Sequence, residues 1–312
     1  MRCPLPFLPL LVGMLAMPAV STARSPSDIA DFAAQEARLA AVSHRLTTAS
    51  ARWCPDTMPQ PGWMLEDRRR FDAGDWNAAR QVYDATSDGP FIAAVAPGSP
   101  ADRAGLARGV SIAAINGEPV PTLGDAPTIR IDATIVMLAA LDPAAPLTVT
   151  DGAGRTYRLD AAPGCASAFR IERKGAQAAA NGTLVRLRFE LAREVVDEAE
   201  FAAVIAHELA HNILRHHDRL AAAGNRSARL VRATELEADR LSVWLMADAG
   251  YDPAAAVRFW NRHKRPLIRA ATHPPRSERI AAIEDEMAAM TAARAVDPGA
   301  RPSLVMAPPP LE

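Results

Sequence analysis

Cysteine, net charge and long apolar runs are all scarce in this chain. Three cysteines occur in 312 residues, none with a second cysteine nearby, which argues against a metal site built on thiolates. A net charge of -1 supplies no cationic surface for nucleic acid. Past residue 20 no apolar stretch approaches the roughly 18 residues needed to cross a bilayer. What is present is an ordinary globular balance, 49% hydrophobic and 23% charged, with length for about two domains.

The one apolar run is at the start. Met1-Arg2 precedes an apolar stretch from Leu5 to Val20, with small residues at Ser21 and Ala23, the pattern of a secretory signal peptide cut after Ala23. An uncleaved anchor is the alternative, disfavoured by Pro4, Pro6, Pro9 and Pro18. Cleavage removes Cys3 and leaves Cys54 and Cys165, an even pair in an exported, periplasmic or secreted chain. An oxidising compartment makes a disulfide the expected state, closing a loop worth about 4 to 5 kcal/mol in the chain-entropy model. Two unrelated buried thiols are the alternative.

Chemistry concentrates at His207-Glu208-Leu209-Ala210-His211. Two histidines four apart on a helix share a face and can hold one metal ion, and the intervening Glu208 can reach a water on that ion. This is the H-E-x-x-H pattern of zinc peptidases, in which the carboxylate is the general base. Phe201, Ile205, Leu209 and Ile213 form an apolar stripe on the opposite side of a helix expected from Asp197 through His217. Ala203 and Ala210 beside the histidines leave room for a second helix. Gly224 and Asn225 then break the chain, and a helix from Ser227 to Ala249 carries Glu235 and Asp239 on one face. One can bind metal while the other accepts a hydrogen bond from a ligand histidine. Glu237 lies about 200° around that helix from Glu235 and should point elsewhere.

The remaining segments are plainer. Ser27 is the expected cap of a helix over residues 28–48, a packing arm. Arg68-Arg69-Arg70 suggests a solvated basic patch beside Glu66 and Asp67, and His216 and His217 suggest solvated helix-end residues. The middle third alternates short strands with turn signals. Phe91 to Val95 is a strand, Ser99-Pro100-Ala101-Asp102 starts a short helix ended by Gly105, and a strand over 110–115 closes on the tight-turn pair Asn116-Gly117. A helix over 131–141 and a hairpin of 147–150 with 156–159 complete it.

The run Val95 to Gly109, continuing through Ala114-Ile115-Asn116-Gly117-Glu118-Pro119-Val120, resembles PDZ domains of bacterial proteases over residues 60 to 162. Val110 departs from the aspartate usual after the glycine. The resemblance implies a small barrel that can capture an extended peptide by strand addition; a spacer or lid is the alternative. The H-E-x-x-H motif, Glu235-x-x-x-Asp239 and the late segment Thr272-His273-Pro274-Pro275-Arg276-Ser277-Glu278-Arg279 together resemble the CAAX-prenyl-protease and HtpX-like zinc metallopeptidases over residues 166 to 290. That resemblance implies His207, His211 and Glu235 as ligands of one Zn2+, Glu208 as base, Asp239 as partner of a ligand histidine, and His273 and Arg279 near the active centre. The chain lacks the internal spanning helices of the membrane-embedded members.

The expected fold is therefore α+β: a mainly helical zincin-type peptidase domain at 166–296 preceded by the PDZ-like module at 60–162. A signal peptide (1–23), an N-terminal helical segment (24–59) and a disordered or extended proline-rich tail (297–312) flank them. The expected activity is zinc-dependent hydrolysis of peptide bonds in exported, misfolded proteins. Glu208 takes a proton from the water, His273 and Arg279 stabilise the oxyanion, and the strand over 183–189 offers a substrate-pairing edge. Expected partners are protein or peptide substrates, with no nucleic acid and no stable membrane span. A peptide-binding, chaperone-like protein that hardly cleaves is the alternative, against which an intact Glu208 counts.

Overall fold

The computed structural model describes residues 24–122, 124–224, 227–263 and 273–310. The expected signal peptide and its cleavage site, Asn225 and Thr272 lie outside them. The first helix, Pro26–Ser50, begins two residues earlier than expected because Ser25, not Ser27, caps it. Ser25 Oγ accepts from the Asp28 N–H and Asp28 Oδ2 from the Ser25 N–H, each at 3.2 Å. This closed box satisfies two orphan donors, and Pro26 has no N–H to satisfy. The helix buries Ile29, Phe32, Leu39, Val42 and Leu46, one helical stripe, in the same core as Phe201, Ile205 and Leu209. Arg38 fastens it to the start of the next important helix, donating to the carbonyls of Val195 at 2.7 Å and Asp197 at 3.0 Å.

The PDZ-like module is built on a four-stranded antiparallel sheet. Its order is Glu118–Pro119, Ile112–Ile115, Leu147–Asp151, Thr156–Leu159. Asn116 and Gly117, at φ 50° and 83°, make the tight turn between the first two strands, with both residues left-handed as such a hairpin requires. A separate pair, Trp63–Glu66 with Phe91–Val95, and helix Ile129–Ala139 cover the sheet. At the Val110 departure, backbone pairing replaces the missing carboxylate: Gly109 N–H donates to Ile92 O at 2.8 Å, and Ile92 N–H to Val110 O at 2.9 Å. A Cβ at Gly109 would stand 2.3 Å from Asp84 O, so the chain can pass there only as glycine.

The two modules share material. Along Phe91–Val95, Phe91, Ala93 and Ala94 enter the large core while Ile92 enters the small one; strand alternation accounts for residues 91–93, and the partner strand has a register shift between Met64 and Leu65. Phe71, Trp76 and Tyr83, expected within the barrel, also pack into the large core. Arg70, expected in a solvated patch, is buried: it pairs with Glu66, sits 3.2 Å from Glu172 and donates to Ile171 O at 2.7 Å. Glu66 is itself fully buried, and an uncompensated carboxylate there would be costly, so one arginine is drawn inward. Cys54 and Cys165 form the disulfide, with Cα atoms 5.4 Å apart. Beside it Thr57–Pro59 pairs with Pro163–Cys165. The tail is neither disordered nor fully extended through residue 310. Ser303–Met306 is a helical turn, Leu304 is buried in the large core, and Pro309 O accepts from Arg219 at 2.6 Å.

No helix among the described residues is long and apolar enough to cross a membrane. Reduction of the disulfide should lower stability by about 2 to 5 kcal/mol. Guanidinium unfolding with and without reductant measures this, and coincident curves would show that the bond constrains nothing.

Candidate metal centre

The motif helix is Glu198–Ile213, started by Asp197, whose side chain accepts from the Glu200 N–H at 2.9 Å. Phe201, Ile205 and Leu209 are fully buried on its inner side. It ends earlier than expected because Arg215 takes a left-handed conformation, φ 51°, and a new short helix, His216–Ala222, leaves in another direction. The return helix, Ala228–Asp248, packs closely against the motif helix, where Ala203, Ala210 and Ala238 are buried. Small side chains on both surfaces permit that approach.

Three donors converge between these helices. His207 Nε2 and His211 Nε2 are 3.2 Å apart, and Glu235 carboxylate oxygens lie 3.5 Å from the first and 3.6 Å from the second. Ligands about 2.0 to 2.1 Å from a tetrahedral ion stand about 3.3 to 3.4 Å from one another. The set therefore fits a small divalent cation of the zinc type. Among the described residues, these three are the group of His, Cys, Asp or Glu side chains placed to hold an ion.

Around this triad the supporting contacts are short. Asp239 Oδ1 is 3.0 Å from His207 Nδ1, which directs the ring's Nε2 to the centre. Arg279 donates to both Asp239 oxygens, Nε and Nη2 each at 2.6 Å. Its Nη1 lies 3.4 Å from Glu235, and its Cζ lies 4.0 Å from the Trp260 ring centroid. The sequence placed Arg279 at a developing oxyanion; here two of its donors are committed to Asp239. Burial pushes the Glu208 carboxyl up to about 7, with Glu235 adding to the rise while His207 and Arg279 oppose it. Burial and Arg279 disfavour charge on His207, but Asp239 and Glu235 outweigh them and raise it to about 9. Burial, with His207 and His216 alongside, holds His211 well below the usual imidazole range. Burial alone would raise Glu235, yet His207, His211 and Arg279 bring it below the usual carboxylate range.

Glu208 and His273 line one cleft with these residues, about 440 Å³ in volume, walled on the apolar side by Leu191, Val204, Phe259 and Trp260. Its rim includes Ala178–Ala180, and here an expectation fails. The strand Leu184–Arg188 is not an edge but the centre of its sheet, in the order Ala178–Ala180, Leu184–Arg188, Ala168–Glu172. The turn at Asn181-Gly182 folds residues 178–180 back over the side that would have been open. Asn181 Oδ1 accepts from the Leu184 N–H at 2.8 Å, and Asn212 Oδ1 from the Gly182 N–H at 2.7 Å. Asn212 thus pins the hairpin to the motif helix, a role with no sequence signal beyond its place next to His211.

His216 is the other correction. Expected at the surface, it is buried, with Nδ1 2.8 Å from His211 Nδ1 and Nε2 3.0 Å from Glu237 Oε2. The expectation ran the helix straight through Arg215; the left-handed turn swings His216 beneath the metal-facing residues. Glu237 points away from Glu235 as the helix geometry required, and His217 is exposed.

Residues 171–231 and 219–287 match the model of peptidase family M48, and residues 91–130 match a PDZ domain. The C-terminal domain is an M48 peptidase domain. None of the curated proteins compared with the chain matches it. Peptidases of family M48 are metal-dependent, and the M48 domain here carries its donor triad on the motif and return helices, with the PDZ domain preceding it.

A cation entering this centre must displace the proton that His207 carries below about pH 9. Zinc affinity should therefore rise nearly tenfold per pH unit between about pH 7.5 and 8.5, where Glu208 is already ionised and about one proton is released per ion. Chelator competition across that range measures the slope, and a flat profile would mean that His207 is already neutral in the metal-free protein.

Proposed function

We propose that this metallopeptidase is a zinc-dependent endopeptidase, binding one Zn2+ per chain and hydrolysing peptide bonds in exported proteins, misfolded ones in particular. The observation that carries the proposal is the convergence of His207, His211 and Glu235 at tetrahedral-ligand spacing in the cleft that also holds Glu208. Zinc held by His207, His211 and Glu235 would supply Lewis acidity, lowering the pKa of a water toward about 7 and polarising a carbonyl oxygen. Glu208, in the same cleft as the three donors, is the carboxylate that would take a proton from that water and return it to a leaving amine. Asp239, held by Arg279, keeps His207 oriented. His273 in the cleft wall is the candidate donor to the oxyanion.

Substrate backbone is proposed to pair with the Ala178–Ala180 edge, since its inner side is taken by Leu184–Arg188 and its outer side borders the cleft. In the PDZ domain, strand Trp63–Glu66 and helix Ile129–Ala139 flank a groove also lined by Ser167 to Arg170, at the start of the strand that pairs with Leu184–Arg188 of the M48 domain. A peptide added to that strand would therefore lie against the peptidase itself, which supports a role in delivering or sensing substrate. The apolar N-terminal run and the Cys54–Cys165 bond support an exported, periplasmic or secreted location.

Casein or peptide hydrolysis by the zinc-loaded protein, beside Glu208→Gln with equal zinc content, tests the mechanism. The variant should lose at least about 100-fold in kcat. Equal rates would remove Glu208 as the base.

A further inference from the structure

Behind the metal-facing side of His211 lies a second set of polar residues, the buried His216 and Glu237 and the partly exposed Arg219, with no part in the chemistry so far. The rings of His211 and His216 meet edge to face, centroids 4.8 Å apart, with their Nδ1 atoms at 2.8 Å. Nε2 of His216 is 3.0 Å from Glu237 Oε2. Glu237 accepts from Arg219 Nη1 at 2.6 Å and Nη2 at 3.3 Å, and Arg219 Nη2 also donates to Pro309 O at 2.6 Å.

Two ring nitrogens at 2.8 Å can bond only if one carries the proton and the other a lone pair. Their surroundings decide which. The carboxylate of Glu237 only accepts, so Nε2 of His216 is the protonated nitrogen. The partly exposed Arg219 already balances Glu237, and a cation on the buried His216 would stand uncompensated. A neutral His216 then presents its lone pair at Nδ1, and the proton in the shared bond belongs to His211 Nδ1. That leaves the lone pair of His211 on Nε2, the atom that faces His207 and Glu235.

We infer that His216 is a positioning residue for His211: Arg219, Glu237 and His216 form a hydrogen-bonded chain that fixes His211 in the tautomer and orientation needed to ligate the metal. The inference rests on the metal reading above. It gives the two histidines unlike supports: His207 leans on a carboxylate directly, and His211 reaches its carboxylate through a second imidazole. It also accounts for Glu237, whose position two residues from Glu235 places it on the far side of the return helix and in line with His216.

The test is zinc affinity by chelator competition, together with the visible absorption spectrum of the cobalt(II)-substituted protein, for His216→Leu and His216→Asn. Removing such a support costs about 10- to 100-fold in metal affinity. The leucine variant should show that loss and an altered cobalt spectrum. Asparagine places an acceptor oxygen where Nδ1 stood, so His216→Asn should bind zinc within a few-fold of wild type. Leucine and asparagine variants that bind alike, whether as tightly as wild type or equally weakly, would overturn the inference. Should His216→Leu not fold, Glu237→Gln replaces it. The amide offers a donor where the chain needs only acceptors, so zinc should bind about tenfold more weakly, and unchanged affinity would again overturn the inference. Wild-type protein that takes up neither zinc nor cobalt would overturn the metal reading and this inference with it. Loss of metal in Glu235→Ala alone, with all His216 variants unaffected, would overturn only the inference.

Discussion

The buried pairing of Arg279 with Asp239 is the constraint on which the centre depends. Glu235, Asp239 and Glu208 would repel one another, and with their side chains largely withdrawn from solvent each would be costly to keep charged there. Arg279 reaches two of the three, with both oxygens of Asp239 at 2.6 Å and Glu235 at 3.4 Å, and a bound cation would offset what remains. The arginine comes from a third helix, Arg276–Val296, so the charge balance also locks that helix against the two that carry the ligands. Trp260 covers the face of the guanidinium, keeping water from competing for it. Electrostatics and packing here are one arrangement.

Outside the centre, the same economy recurs at the border between the modules. Glu36, Glu66, Arg70, Glu172 and Tyr83 meet where the first helix, the PDZ domain and the M48 domain touch. Arg70 pairs with Glu66 and Glu172, and the Tyr83 hydroxyl donates to Glu36. Burial and the neighbouring Glu66 raise the Glu36 carboxyl well above its usual range. The first helix is therefore part of the peptidase framework: it holds the motif helix at Val195 and Asp197 through Arg38 and the PDZ side through Glu36.

Much of this was legible from residue spacing. Two histidines four apart, an acid pair four apart on a later helix, and small residues between them are local patterns, and helical geometry converts them into a site with little help from the rest of the chain. The disulfide was readable from parity and compartment. What escaped depends on a single backbone choice or on distant partners. The left-handed turn at Arg215 has no glycine or asparagine to announce it, and without it His216 belongs on the surface. Arg70 is drawn inward by the buried Glu66, and the groups that complete its burial, Ile171 O and Glu172, lie a hundred residues away in sequence. The edge of the cleft was assigned to the wrong strand because residues 178–180, Ala-Ala-Ala, carry neither alternation nor branching to mark a strand. Its pairing comes from the turn at Asn181-Gly182, not from its own side chains.

The strand Phe91–Val95 contributes consecutive side chains to two hydrophobic interiors. Removing the PDZ domain would strip Phe91 and Tyr83 from the interior that also supports the motif helix, leaving voids behind a donor triad whose own residues are intact. The boundary at residue 162 is therefore a topological label, not a place to cut. Mechanically, the strand acts as a common beam: a load on one side is borne on the other without crossing a hinge.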